Sequence, residues 1–208
     1  MRGVYAFATE IDRCIEALSE KDYHQKIGRS KTLREELYPL SRLALSYKQP
    51  GLDVAVEGFE NSGRADGRIR ITGYFDREFE VQVTYAGYDG DDALRAELLV
   101  FRGCAPGAGP IHRDKKSGGV IATMSAVDCD EHIERLSVAI KTQFWKKASK
   151  RYHPGTVLLI ACEEIKLRGR IGWKQLLSAI EREGGFTESQ FAEVYLFNGA
   201  TNELYNAT

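Results

Sequence analysis

Apolar residues recur at helical spacing from Val4 to about Ser19 (Ala6, Ile11, Ile15, Leu18), and this predicts a first helix. A charged stretch, Glu20 to Arg29, follows, and Gly28 helps to end it. Leu33, Leu37, Leu40, Ala44 and Tyr47 make the next stripe, a second helix capped by Ser30 or Thr32 and running to about Tyr47. Glu35 and Glu36 fall in its first turns, where the helix dipole favours acids. Pro39 lies inside the stripe and predicts a kink or a later start, because it has no N–H to donate.

After Pro50-Gly51 the period changes from helical to alternating. Leu52 to Phe59 predicts a strand, Asn61-Ser-Gly-Arg a turn, Ile69 and Ile71 a second strand, and Glu78 to Tyr85 a third. Short turns between three consecutive strands imply an antiparallel meander. Asp91 or Asp92 can cap a helix through Ala93 to Phe101, and residues 103–119 read as a loop rich in Gly, Pro and basic residues. The longest predicted helix begins at Asp128 or Asp130, uses Ile133, Leu136, Ile140 and Phe144 as its apolar face, and runs to Tyr152, where His153-Pro-Gly stops it. Thr156 to Cys162 is nearly all apolar, as in a strand buried on both faces. A helix from Trp173 to Glu183 and a strand from Glu193 to Phe197 complete the chain. A meander, a crossover helix and a buried strand imply an α/β protein with a mixed central sheet flanked by helices.

A length of 208 residues fits a single domain, long enough to fold without metal or disulfide staples. The net charge of −1 argues against a strongly basic coat but leaves room for a local basic face. Four scattered cysteines (Cys14, Cys104, Cys129, Cys162) form no zinc or disulfide pattern and read as structural thiols in a reducing compartment. Met1 to Glu10 does not resemble a secretory signal, and no apolar run approaches the about 20 residues that span a bilayer. The expectation is a cytoplasmic protein without membrane contact. The loop at 103–119 lacks the Gly-Lys-Ser/Thr ending of a P-loop, the histidines have no partners at metal-ligand spacing, and no nucleophile elbow or dinucleotide fingerprint occurs.

Chemistry concentrates on the third strand. Alternation puts Glu80, Gln82 and Thr84 on one face and Phe79, Val81 and Val83 on the other. Pairing 66–71 against 78–84 would bring the Asp66 carboxylate near that of Glu80. Two carboxylates side by side repel, and a hard divalent cation is the usual remedy.

An acid on a helix, Asp66 at the start of one strand and Glu80-Val81-Gln82 on the next, with thirteen residues between the two acids, resemble the motif of the PD-(D/E)XK nuclease superfamily. The resemblance covers about residues 30–162, taken as a nuclease-like core, with 163–208 a C-terminal extension. It implies a restriction-endonuclease-like fold and Mg²⁺- or Mn²⁺-dependent hydrolysis of phosphodiester bonds, with DNA as the expected partner and a homodimer as a possible assembly. Asp66 and Glu80 would ligate the metal, Gln82 would position the nucleophilic water, and Glu36, or Glu35, would be the helical acid. Gln82 stands where the family carries lysine; some members have glutamine there, and in others a lysine from the following helix takes over, a role open to Lys147 and Lys150. Lys146 and Arg151 on that helix, and Arg113, Lys115 and Lys116 in the loop, are candidate phosphate contacts, as solvated helix-end and loop cations also are in proteins without such a role. Two other readings remain open at this point: a nuclease fold with an eroded site that binds nucleic acid or a protein, and an unrelated α/β protein acting in an assembly.

Overall fold

The computed structural model describes residues 1–59, 65–87, 91–107, 109–125, 128–187 and 189–208. A short strand β1 (Arg2–Gly3) leads into α1 (Val4–Glu16), α2 (Glu20–Gln25) and α3 (Arg29–Lys31). A π-helical turn, Thr32–Leu37, then joins α4 (Tyr38–Ser46). The meander follows as β2 (Leu52–Gly58), β3 (Gly67–Gly73) and β4 (Arg77–Tyr85). Next come α5 (Asp91–Arg102), a hairpin of β5 (Ile111–Arg113) and β6 (Val120–Ala122), α6 (Cys129–Ala148), β7 (Val157–Cys162), α7 (Gly169–Arg182), β8 (Glu193–Asn198) and β9 (Glu203–Asn206).

Seven strands form one mixed sheet in the order β1-β2-β3-β4-β7-β8-β9. The meander is antiparallel, β4 pairs in parallel with β7 and β7 with β8, and β9 returns antiparallel along the edge. The expected mixed sheet with flanking helices is therefore present. Beyond residue 162, β8 and β9 extend the same sheet by two strands. Among the described residues no helix is long and apolar enough to cross a membrane.

Alternation sorts the core into two layers. Leu33, Leu37, Leu40 and Leu43 pack with Val54, Ile69, Val81, Val83 and Leu159 on one face of the sheet. On the other face Leu136, Ile140 and Phe144 of α6 and Trp173 and Leu176 of α7 meet Leu158, Ile160, Val194 and Leu196. Strand β7 feeds both layers and is buried throughout, as its unbroken apolar run implied.

Several boundaries depart from the sequence pattern for identifiable reasons. The first helix stops at Glu16, and the Ser19 hydroxyl accepts the Asp22 N–H to start the separate helix α2. Pro39 marks the later start that the pattern allowed: it falls in the first turn of α4, where its missing N–H is tolerated, and the turn before it widens, with Tyr38 N–H donating to Leu33 C=O five residues back. Helix α6 ends at Ala148, before Tyr152, because the Gln190 side chain takes over the free backbone groups, donating to the Lys150 carbonyl and accepting the Tyr152 N–H. Within and just past the predicted loop at 103–119, Ile111 and Val120 pack on Leu98 of α5 and hold the small hairpin.

Candidate functional site

Strand register decides what stands beside Asp66. Gly67 faces Val81 and Arg68 faces Glu80, so Asp66, one residue before β3 begins, comes level with Gln82. Backbone bonds fix it there: Asp66 N–H donates to Val81 C=O at 2.9 Å, and Phe59 N–H donates to Asp66 C=O at 2.9 Å. The Asp66 Oδ2 accepts the Val83 N–H at 2.7 Å and a bond from the Gln82 side-chain amide. That amide is 6% exposed and also donates to Val83 C=O at 3.2 Å.

Two further groups reach this carboxylate from other elements. Glu36 lies in the π-helical turn, and Lys147 is in the last turns of α6. Gln143 and Lys147 are four residues apart and share a helix face, and Gln143 Oε1 accepts from the Thr84 hydroxyl at 3.3 Å, anchoring that face to β4. Burial raises the Asp66 carboxyl above the usual range, opposed by the Val83 N–H, Lys147, the Gln82 amide and Lys150. Burial also raises Glu36, and the Asp66 charge adds to that rise while Lys147 opposes it. Lys147 is lowered, first by burial, with Asp66 and Glu36 acting to keep it charged. The Tyr152 phenol is raised by burial and then by Asp66. Three titratable groups on three elements are thus linked electrostatically, Asp66 acting on Glu36 and Lys147 exchanging influence with both acids, an arrangement common at sites of chemistry.

A pair of glycines makes the convergence possible. Gly58 and Gly67 face each other across β2 and β3. A Cβ on Gly58 would run into Leu37, and one on Gly67 into Leu40 and the Glu57 carbonyl. Without side chains there, the helical segment carrying Glu36 closes onto the start of β3.

Glu80 is placed differently from the sequence expectation. It lies two residues earlier in β4 than Gln82, roughly 7 Å away, opposite Arg68, with Arg68 Nη2 at 3.6 Å from its Oε1. Arg70 and Glu78 form the next rung, and the ladder lies on the polar face of the meander. Alternation put Glu80 and Gln82 on the same face, and the register gives the place beside Asp66 to the amide. Glu57, on β2, faces Arg68 from the other side.

The expected phosphate contacts divide. Arg113, on an exposed face, is bonded to Glu97 and to the Gly118 carbonyl. Lys115 and Lys116 are exposed in the hairpin turn. Lys146, Lys150 and Arg151 are exposed at the end of α6, and Lys146 lines a large cleft.

That cleft, about 820 Å³, opens beside Glu36 and Lys147 and lies at the carboxyl ends of β4, β7 and β8. Crevices at the carboxyl ends of parallel strands are where open α/β sheets bind ligands. Its walls carry a cluster the sequence analysis did not single out: Glu163, just past β7, pairs with Lys26 at 3.0 Å and with Arg34. Lys26 also lies over the Tyr85 ring, and Arg34 over Tyr23. Only the acid after a buried strand hinted at it, since its partners lie more than a hundred residues away.

Compared with known proteins, the chain matches no family model, no curated protein and no solved structure. Among the described residues no group of three or more His, Cys, Asp or Glu side chains is arranged to hold a metal ion. Glu36 and Asp66 make a set of two carboxylates, one oxygen of Asp66 being engaged by N–H donors. Such a set suits Mg²⁺, which binds through one or two carboxylates and completes its shell with water and phosphate oxygens. It does not suit a cation that demands an all-protein cage.

Proposed function

We propose that the protein is a divalent-cation-dependent hydrolase of phosphodiester bonds in nucleic acid, with DNA the expected form, built on a restriction-endonuclease-like arrangement. The observation that carries this reading is the meeting of Glu36, Asp66 and Lys147 from three elements at the mouth of a cleft. Glu36 and Asp66 would hold Mg²⁺ or Mn²⁺, which when bound supplies Lewis-acid charge stabilisation and a more acidic water. The Gln82 amide and the Val83 N–H fix the orientation of Asp66. Lys147 brings a cation to the place where negative charge builds on a phosphate, and its desolvated setting strengthens that attraction. Gln82 here supports a ligand, whereas the sequence motif cast it as the group that positions water.

The element order supports the same reading: acid-bearing helix, three-strand meander, crossover helix, then a strand parallel to the third. The test is cleavage of labelled DNA in Mg²⁺ and in Mn²⁺. Glu36→Gln, Asp66→Asn and Lys147→Met are each expected to lose it by about 10²-fold or more, whereas Glu80→Gln keeps it within a few-fold. Loss in Glu80→Gln with retention in Glu36→Gln would overturn the assignment.

One observation favours a second reading, a non-hydrolytic nucleic-acid-binding relative. Thr84 and Gln82 both lack the charge of a lysine, and Asp66 is already satisfied in part by its own neighbours. On that reading the wild-type protein cleaves nothing in either cation.

A further inference from the structure

The cleft extends well past Glu36 and Lys147, and its depth has a chemistry of its own. Helices α2 and α5 both line it and also pack against each other, so it is closed along the side where they meet. A volume of about 820 Å³ falls within the range of clefts that enclose small molecules. The acids on its walls are largely paired: Glu163 with Lys26 and Arg34, Glu35 with Lys26 and Lys31. Lys146 has no acidic partner among the described residues and supplies an exposed cation. On the floor, the Tyr85 hydroxyl makes no hydrogen bond to a described residue, and Gln143 spends only its oxygen, on Thr84. Tyr23, with Arg34 over one face, is 38% exposed and forms a stacking surface on the wall.

Each of these groups matches a part of an unpaired nucleotide. A cation at the mouth suits the phosphate, a tyrosine–arginine pair suits a base face, and a free hydroxyl and amide suit a base edge. A continuous duplex offers such a cleft only its backbone, because its base edges are already paired and its bases stacked. Taking the proposed nucleic-acid chemistry as its premise, we infer that the cleft is a subsite for one unpaired nucleotide. The protein therefore works on single strands, overhangs or frayed ends, with the phosphate next to that nucleotide at Glu36 and Lys147.

The experiment reads binding separately from cleavage. Fluorescence anisotropy with a short labelled DNA strand, its blunt duplex and the same duplex bearing an overhang is measured in EDTA at low salt. The single strand and the overhang are expected to bind at least about tenfold more tightly than the blunt duplex. Tyr85→Phe, which removes one edge contact, is expected to weaken single-strand binding about three- to tenfold and leave duplex binding unchanged. Ala93→Trp, which fills the cleft from the exposed face of α5, is expected to abolish the preference without relying on that contact. Melting temperatures equal to wild type confirm that the variants are folded. Equal affinity for strand and duplex, or no binding of either, overturns the inference. So does a single-strand preference that survives Ala93→Trp and disappears in Lys115→Ala/Lys116→Ala, which would place the contact on the hairpin. Cleft-dependent single-strand binding without cleavage in any cation would sink the hydrolase and leave this inference standing; cleavage of blunt duplex through Asp66, indifferent to Ala93→Trp, would do the reverse.

Discussion

Replacing Asp66 by alanine removes the acceptor of two donors at once, the Val83 N–H at 2.7 Å and the Gln82 amide. Val83 is buried, and a buried donor left without a partner costs about 1–3 kcal/mol. Against this, the alanine relieves a carboxylate whose burial disfavours its charge. The donor penalty is the larger, so Asp66→Ala is expected to lose about 1–2 kcal/mol, or about 2–8 °C in Tm for a chain of this length. Asp66→Asn separates the two effects. Its carbonyl oxygen still accepts from Val83, Gln82 can turn its amide to meet the new N–H, and the buried charge is gone. This variant is expected to match or exceed wild type at pH 7. The sign with pH follows from the raised carboxyl. Asp66 is destabilising above its folded pKa, and the penalty fades as pH falls through that value towards the unfolded 3.8. The advantage of Asp66→Asn over wild type therefore closes in acid. Urea unfolding followed by circular dichroism at a series of pH values, with m held constant across variants, reads all of this. If Asp66→Asn falls as far as Asp66→Ala at pH 7, the charge and not the acceptor supports the fold, and the reasoning fails.

His132 tests another buried group. Neither of its ring nitrogens has a hydrogen bond among the described residues, its ring is lowered below 6.5 by burial and then by Lys166, and Glu164 at 3.7 Å only partly offsets that. The folded state holds it neutral while the unfolded chain protonates, so stability falls as pH drops below about 6.5; His132→Leu should raise Tm more at pH 5 than at pH 8, and parallel curves would refute this. Gly67→Ala drives a Cβ against Leu40 and the Glu57 carbonyl, for an expected loss of about 1–3 kcal/mol. Gly3→Ala, with open space around it, should stay within about 0.5 kcal/mol of wild type in the same urea titration; equal losses at the two positions would remove the close-approach argument.

The meander, the crossover helix and the doubly buried β7 were legible because each carries a clean period and its own stop signal. Register was less so. Alternation assigns a face, and Glu80 and Gln82 share one, so only the hydrogen bonds around Asp66 could choose between them. Elements held by tertiary contacts escaped the pattern: β5 and β6 have three residues each and depend on Leu98, and β9 depends on pairing with β8. The end of α6 was misjudged because Gln190, some forty residues on, satisfies its last carbonyls. Glu36 and Lys147 were readable as residue types at helical positions, but their meeting was not.

That meeting has a structural cause which ties the backbone to the chemistry. Glu36 sits in a turn wound wider than an α-helix, immediately before a proline that cannot donate to the turn behind it. A turn wound wider than an α-helix is short and uncommon, and packing holds this segment in place. Leu37 and Leu40 supply that packing by settling onto Gly58 and Gly67, a paired position of β2 and β3 at which both strands lack a side chain. The residue before Gly67 is Asp66. The contact that holds the widened turn is thus also the contact that brings its acid towards the second carboxylate, and a chain in which either glycine gained a Cβ would loosen the helix and separate the two acids together.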